Sequence, residues 1–375
     1  MAALSCMPCR GGAISPEWVR TSAELEQAAA GWGRVLGLDT EFQRTSTFFP
    51  LPGLYQVLSD NRVFLIDPLT VEDWSPLVAV LEDEDRTLVM HACSEDLELM
   101  SHHFGAVPNR LFDTQLANAF VSTDFALSYS NLVQRHIGVT LGKPQTRSNW
   151  RRRPLSDAQV HYACEDVAHL MELYERLNDA LEKLGRSHWF RETMSGQDRF
   201  RPTDPDAYYL GVRKAWRLDG ADLAVLKALT SWRERTAMRE DVPRNRVVRD
   251  EHLLTFARLK KLEERSIHDA LPGPVARRYA GNLMEAHAEG RQMPPLDRLE
   301  PPLTQHQGEI FRKLRDAARE EAARQNLSPE LLARKRDLEC CIRHYIETGE
   351  LSPEYAGWRE TLVGVRFRRI LADLT

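Results

Sequence analysis

The 375-residue chain contains no uninterrupted apolar run of about 18 residues, the length a membrane-spanning helix requires, so no span is expected. Its first ten residues, MAALSCMPCR, lack a basic segment followed by a sustained apolar stretch. A secretory signal is therefore not expected, and residues 1–15 read as a mobile tail. Cysteine is scarce: Cys6, Cys9, Cys93, Cys164, Cys340 and Cys341 are the whole set. Cys6-x-x-Cys9 finds no second Cys/His pair at zinc-like spacing, which argues against a zinc site. Cys93 and Cys164 read as small packing residues, and sparse cysteines suit a reducing cytoplasm. A basic excess is missing too, since the net charge is −5. The deficit is uneven. Residues 1–200 carry 18 Lys/Arg against 27 Asp/Glu, and the remainder 32 against 28. There is no strict short-period repeat.

What is present is a set of carboxylates spread along the acidic half. Val35-Leu36-Gly37-Leu38 reads as a buried strand. Asp39 and Glu41 stand at i and i+2 at its end, so both leave the same face of a sheet. Asp96 lies in Ser94-Glu95-Asp96, where it also suits an acidic first helical turn. Residues 156–184 read as one long helix, opened by Ser156 with Gln159 as its capping-box partner. Tyr162 and Asp166 are i and i+4 on that helix and project side by side. Each fragment alone has an ordinary explanation. In this order they supply what a two-metal phosphodiester-cleaving site needs: carboxylates for two divalent cations and a hydroxyl to orient the attacking water. Hard oxygen donors point to Mg²⁺ or Mn²⁺ rather than zinc.

The flanking residues carry a family resemblance. Asp39-Thr-Glu-Phe-Gln-Arg-Thr-Ser-Thr-Phe-Phe-Pro50 with Gly53-Leu-Tyr-Gln56 resembles the first exonuclease motif of the ribonuclease D family. His91-Ala-Cys-Ser-Glu-Asp96-Leu resembles its second motif. Trp150-Arg-Arg-Arg-Pro-Leu155 and Tyr162-Ala-Cys-Glu-Asp166 resemble its third. That family belongs to the DEDD exonucleases, in the tyrosine-bearing subclass. The resemblance implies five catalytic positions, Asp39, Glu41, Asp96, Tyr162 and Asp166, of which all but Tyr162 hold metal. It implies that Asp39 bridges two ions, that Glu41 and Asp166 complete the site of the water-activating ion, and that Asp96 holds the other largely through water. Tyr162 would orient the water. Asp113 falls outside the family pattern and reads as a helix N-cap.

Substrate contacts are expected from Phe42, Phe49 and Gln56, which could pack on or bond a 3′-terminal nucleotide. The stretch Gly142–Arg153 holds five cations and one tryptophan. Lys143, Trp150 and Arg153 are its candidates for tracking phosphates and stacking a base; the alternative is a solvated loop with Trp150 in the core.

Strands are expected at 35–41, 54–59, 62–67, 87–91 and near 110–113, the second and third joined by a turn at Ser59-Asp60-Asn61. Helices are expected near 22–31, 71–83, 94–104, 114–121, 128–136 and 156–184. The pattern predicts an α/β domain with a mixed sheet and helices on both faces, the ribonuclease H-like architecture that the resemblance implies. Breaks at 192–206 and 293–302 set the expected bounds: an exonuclease domain over 16–195, then all-α segments over 206–292 and 300–375. The first resembles an HRDC domain and the second a divergent HRDC-like domain. The implied activity is a cytoplasmic, monomeric 3′–5′ exoribonuclease that trims tRNA precursors and other small structured RNAs to release nucleoside 5′-monophosphates. The alternatives are a DNA 3′–5′ exonuclease of the same superfamily and a non-catalytic RNA-binding protein that keeps the fold.

Overall fold

The computed structural model describes residues 15–142, 145, 148–195, 200, 202 and 204–374. The expected tail up to residue 14, Cys6, Cys9 and Lys143 lie outside the described residues. Six strands, β1 (Glu17–Val19), β2 (Val35–Gln43), β3 (Leu51–Ser59), β4 (Arg62–Ile66), β5 (Thr87–Met90) and β6 (Leu111–Asp113), form one sheet in the order β1-β4-β3-β2-β5-β6. β3 and β4 pair antiparallel. β1 pairs parallel with β4, and β5 lies parallel to both β2 and β6. The sheet is therefore mixed, as the spacing of its strands predicts. The hairpin turns at Asp60 and Asn61, whose φ angles of 47° and 62° are the left-handed values that a tight two-residue turn demands.

Two strands differ from expectation. β1 is only three residues long, too short to show an alternation. β3 starts at Leu51 rather than 54, because Pro52 and Gly53 disguise its first turns as a loop. Gly53 has a specific reason to be there. A Cβ on it would lie 2.6 Å from Trp150 Cβ and 3.0 Å from the Glu41 carbonyl oxygen, so only glycine lets the Trp150 segment rest on the strand.

Eight helices accompany the sheet: α1 (Ser22–Ala30), α2 (Ser75–Glu82), α3 (Ser94–Phe104), α4 (Thr114–Val121), α5 (Tyr129–His136), α6 (Asp157–Ala168), α7 (Leu170–Lys183) and α8 (Ser187–Met194). α6 opens with the predicted capping box, the Ser156 side chain taking the Gln159 N–H and Gln159 reaching back. The single helix predicted over 156–184 is two helices. They break at His169, whose φ of −106° and ψ of 1° leave the helical region. The apolar stripe runs on across the break through Val167, Leu170, Leu173 and Leu177, all buried. Periodicity alone could not reveal an interruption that keeps its phase.

The chain divides into two compact units. The first runs to Gln43, resumes over Pro52–Phe200 and takes in Ile310–Thr375. The C-terminal helices, which the sequence sets apart as a domain of their own, thus pack with the sheet-bearing part. Arg186, only 6% exposed, holds them there. Its Nη1 donates to the Phe120 carbonyl at 2.6 Å and its Nη2 to the Gln325 carbonyl. The Ser328 N–H donates to the Ala119 carbonyl at 2.9 Å. Trp358 stacks on Trp189 with ring centroids 5.2 Å apart.

The second unit comprises Arg44–Leu51 and Arg201–Glu309. Its long helices Gly220–Glu240 and Gly273–Gln292 bury Leu223, Leu226, Leu229 and Leu283. Arg233 is fully buried and donates to the Val248 carbonyl and the Asp250 carboxylate, each at 2.9 Å. The short segment before β3 belongs to this unit. Phe48 lies in its core, and the N–H groups of Phe48 and Phe49 both donate to Asp241 Oδ1, at 3.0 and 3.1 Å.

Arg186→Met should leave buried carbonyls without donors, a loss of about 2–3 kcal/mol. Urea unfolding should show it as a lower midpoint, and limited proteolysis should attack the segment beyond residue 310 first.

Candidate active site

β2 is an inner strand of the sheet, and its last residues carry the first two carboxylates. Positions 37, 39 and 41 share one face. At Gly37 a Cβ would stand 3.1 Å from Leu58 Cβ and 3.2 Å from Leu170 Cβ, so the bare glycine lets the start of α7 lie close over that face. α6, ending two residues earlier at Ala168, then brings Tyr162 and Asp166 to the same place. A cavity of about 160 Å³ is lined by Asp39, Tyr162 and Asp166 together with Leu38, His91, Tyr129 and Leu170. Thr40, between the two β2 acids, donates its hydroxyl to Asp96 Oδ1 in the first turn of α3. The Tyr162 hydroxyl stands beside the Asp166 carboxylate on the cavity wall.

The electrostatics follow from burial of like charges. Burial pushes Asp39 well above the usual carboxylate range, and Asp96, Asp166 and Glu41 push it further. Glu41 is raised to about 9 by burial, then by Asp166 and Asp96. Asp166 is raised to about 7 and Asp96 to about 6, both by burial, with the Tyr162 and Thr40 hydrogen bonds pulling the other way. Tyr162 is raised too, by burial and by Asp166 and Glu41. No described lysine or arginine offsets any of the four acids. Among the described residues, no three His, Cys, Asp or Glu side chains are already drawn to metal-ligand spacing. The acids share a field across the cavity rather than a closed cluster. The donor set is nonetheless all carboxylate, hard and anionic, and its shortage is of positive charge. That chemistry fits divalent cations.

The expected substrate contacts fare differently. Phe42 is half-buried at the end of β2. Phe49 packs against the core of the second unit. Gln56 is fully buried, with neither amide atom bonded, so a nucleotide cannot touch it directly. Trp150 is also fully buried, its ring 6.1 Å from that of Tyr162. It supports the site from below and offers no face for stacking. Arg153 is occupied by the protein itself. It forms a bidentate pair with Asp67, both bonds at 2.6 Å, and donates to the Gly53 and Trp150 carbonyls at 2.7 and 2.8 Å. Its role is to pin the loop to β3. Arg152, in contrast, is exposed.

Asp113 caps α4, accepting from the N–H groups of Gln115 and Leu116, and Cys93 and Cys164 are buried packing residues. Sequence reasoning missed Thr40, His91 and Tyr129. Both ring nitrogens of His91 are engaged, Nδ1 with Thr114 Oγ1 at 2.9 Å and Nε2 with the Leu127 carbonyl at 3.1 Å, so it acts as a wall and not as a base. Tyr129 comes from a stretch, Leu127-Ser-Tyr-Ser-Asn-Leu132, with no distinguishing pattern.

Because the folded-state values lie above the ordinary ones, the folded protein holds protons that the unfolded chain releases. This stabilisation is complete below about pH 4. It is lost as pH rises through about 6 for Asp96, 7 for Asp166 and 9 for Glu41. Calorimetry in excess chelator should therefore show Tm falling from pH 5 to pH 9. Glu41→Gln should raise Tm by a few degrees at pH 9 and change little at pH 4.

Comparison with known proteins identifies the family. The family model described as a 3′–5′ exonuclease matches residues 16–182, and the HRDC domain model matches residues 222–284. Ribonuclease D of Pseudomonas paraeruginosa is 38% identical over 360 residues, covering 93% of this chain and 95% of the relative. Ribonuclease D of Escherichia coli is 31% identical over 351 residues, covering 90% and 93%. The crystal structure of Escherichia coli RNase D, described as an exoribonuclease involved in structured RNA processing, superposes with a TM-score of 0.88 at 28% identity, over 96% of this chain and 99% of that one. An exonuclease fold of this kind implies dependence on divalent metal ions. With near-complete coverage on both sides, the chain belongs to the ribonuclease D family of hydrolytic 3′–5′ exoribonucleases.

Proposed function

We propose that the cavity at the end of β2 is the hydrolytic site, and that it removes nucleoside 5′-monophosphates one at a time from the 3′ ends of tRNA precursors and other small structured RNAs. The observation that carries this reading is the convergence of Asp39, Glu41, Asp96 and Asp166 on one buried field with no described cation to balance it, with Tyr162 on the same cavity wall as Asp39 and Asp166. The structured-RNA role of the Escherichia coli relative supports the substrate class.

Asp39, Glu41, Asp96 and Asp166 would hold two divalent ions, Mg²⁺ or Mn²⁺. Bound there, such ions supply a water nucleophile at neutral pH and neutralise charge on the leaving oxygen. The chain's own groups do the rest. Thr40 fixes the rotamer of Asp96 by its hydrogen bond. Tyr162 orients the attacking water with its hydroxyl and stays protonated, because burial and the neighbouring acids oppose its ionisation. Buried Trp150 and the Arg153–Asp67 pair hold the loop that backs Tyr162. Among the described residues near the cavity, half-buried Phe42 and exposed Arg152 would meet the RNA, the one at the terminal base and the other at a phosphate.

Asp39→Asn should fold and bind RNA, yet shorten a 5′-labelled tRNA precursor on the order of a hundredfold more slowly in Mg²⁺. A normal product ladder from that variant would rule the assignment out. Tyr162→Phe should slow single-turnover cleavage about ten- to hundredfold while RNA affinity holds. Loss of affinity with an unchanged rate would make Tyr162 a binding residue instead.

A further inference from the structure

Tyr129 is the one other hydroxyl on the wall of the cavity. It stands at the start of α5, and its ring meets His91 edge-on with centroids 5.6 Å apart. His91 is fixed at both nitrogens, so the tyrosine ring rests on an immobile neighbour. The Tyr129 oxygen accepts the His169 N–H at 3.2 Å. His169 is the residue at which α6 breaks from α7, three positions beyond Asp166. One lone pair of the phenol is thus committed to the helix break that sets where Asp166 emerges.

The phenolic proton is not used by that bond. The hydroxyl is half-buried on the cavity wall, so its proton is left for an acceptor within the cavity. The acceptors facing Tyr129 across the cavity are the carboxylates of Asp166 and Asp39, and both raise its ionisation cost. Glu165, on the same helix as Asp166, adds to that field. A neutral donor lining the same cavity as two acids is also what a site with no described cation of its own can offer them before metal arrives.

We propose that Tyr129 is a positioning residue. Its oxygen accepts from the His169 backbone, its proton goes to the carboxylates of Asp166 and Asp39, and one phenol thereby sets both the helix break and the orientation of two metal-holding acids. This rests on the reading of the cavity as a divalent-metal site. A second-sphere hydrogen bond to a ligating carboxylate fixes its rotamer, and its removal is felt first in metal affinity.

The test is Mn²⁺ binding by titration calorimetry on the full chain, for wild type, Tyr129→Phe and Asp166→Asn. Phenylalanine keeps the ring against His91 and removes only the hydroxyl. Tyr129→Phe should bind Mn²⁺ about tenfold more weakly, and the Mn²⁺ concentration for half-maximal cleavage should rise by a similar factor. An Mn²⁺ affinity within twofold of wild type overturns the proposal, including the case where the metal-free Tm falls, since the hydroxyl would then serve the helix junction alone. If Asp166→Asn weakens Mn²⁺ binding and Tyr129→Phe does not, only the role of Tyr129 is lost. If wild type binds no Mn²⁺, or Asp166→Asn binds it equally well, the metal-site reading falls, and the role of Tyr129 with it.

Discussion

Four acids held in one buried field are the constraint on which the rest of the site depends. Each of Asp39, Glu41, Asp96 and Asp166 is less acidic than a free carboxyl, and burial is the leading cause for every one. A protein selected for stability alone would pair such groups with arginine or replace them. Here the available arginines are used elsewhere. Arg153 is tied to Asp67, and Arg186 to backbone carbonyls. The imbalance lies at the place proposed to handle divalent cations and a phosphodiester, and on that reading it is the local cost of having a site at all.

The surrounding fold reads as a set of devices for holding those acids still. β2 lies between β3 and β5, and its pairing with β5 over Val35–Gly37 anchors the backbone that leads into Asp39 and Glu41. Gly37 brings the helix start down onto the strand, and Gly53 lets Trp150 lie under Tyr162. Thr40 donates to the Asp96 carboxylate, and the Tyr162 hydroxyl stands beside that of Asp166. Neutral hydroxyls can approach the acids without cancelling the charge that must attract cations, which a lysine or arginine in their place would do.

The two compact units use charge differently. In the sheet-bearing unit the C-terminal helices are fastened by Arg186, Ser328 and Trp358 through backbone and aromatic contacts. In the helical unit Arg233 and Glu234 are both fully buried, with Arg244 and Asp250 completing the network at its edge. That unit also claims the 44–51 segment by packing Phe48 into its core. A segment that belongs by sequence to the exonuclease motif is therefore structurally part of the other unit.

The sequence by itself determined five of the six strands of the mixed sheet within a few residues, the hairpin turn, the α6 capping box and the Asp113 cap, and it singled out the four acids and the tyrosine that the fold brings into one neighbourhood. Those features rest on local spacing, period 2 in strands and i, i+4 on a helix, or on side chains that bond their own backbone. Only the tertiary structure decided the rest. Arg153 and Trp150 look like nucleic-acid contacts in a basic loop, and become a pin and a floor because Asp67 and Gly53 lie 86 and 97 positions earlier in the chain. The break at His169 hides behind an unbroken apolar stripe, because its hydrogen-bond acceptor, Tyr129, is 40 residues away. The C-terminal helices join the catalytic unit through carbonyls, which no side-chain pattern encodes. Spacing along the chain determines which groups share a face. Which of them remain free for chemistry depends on partners that only folding brings within hydrogen-bond reach.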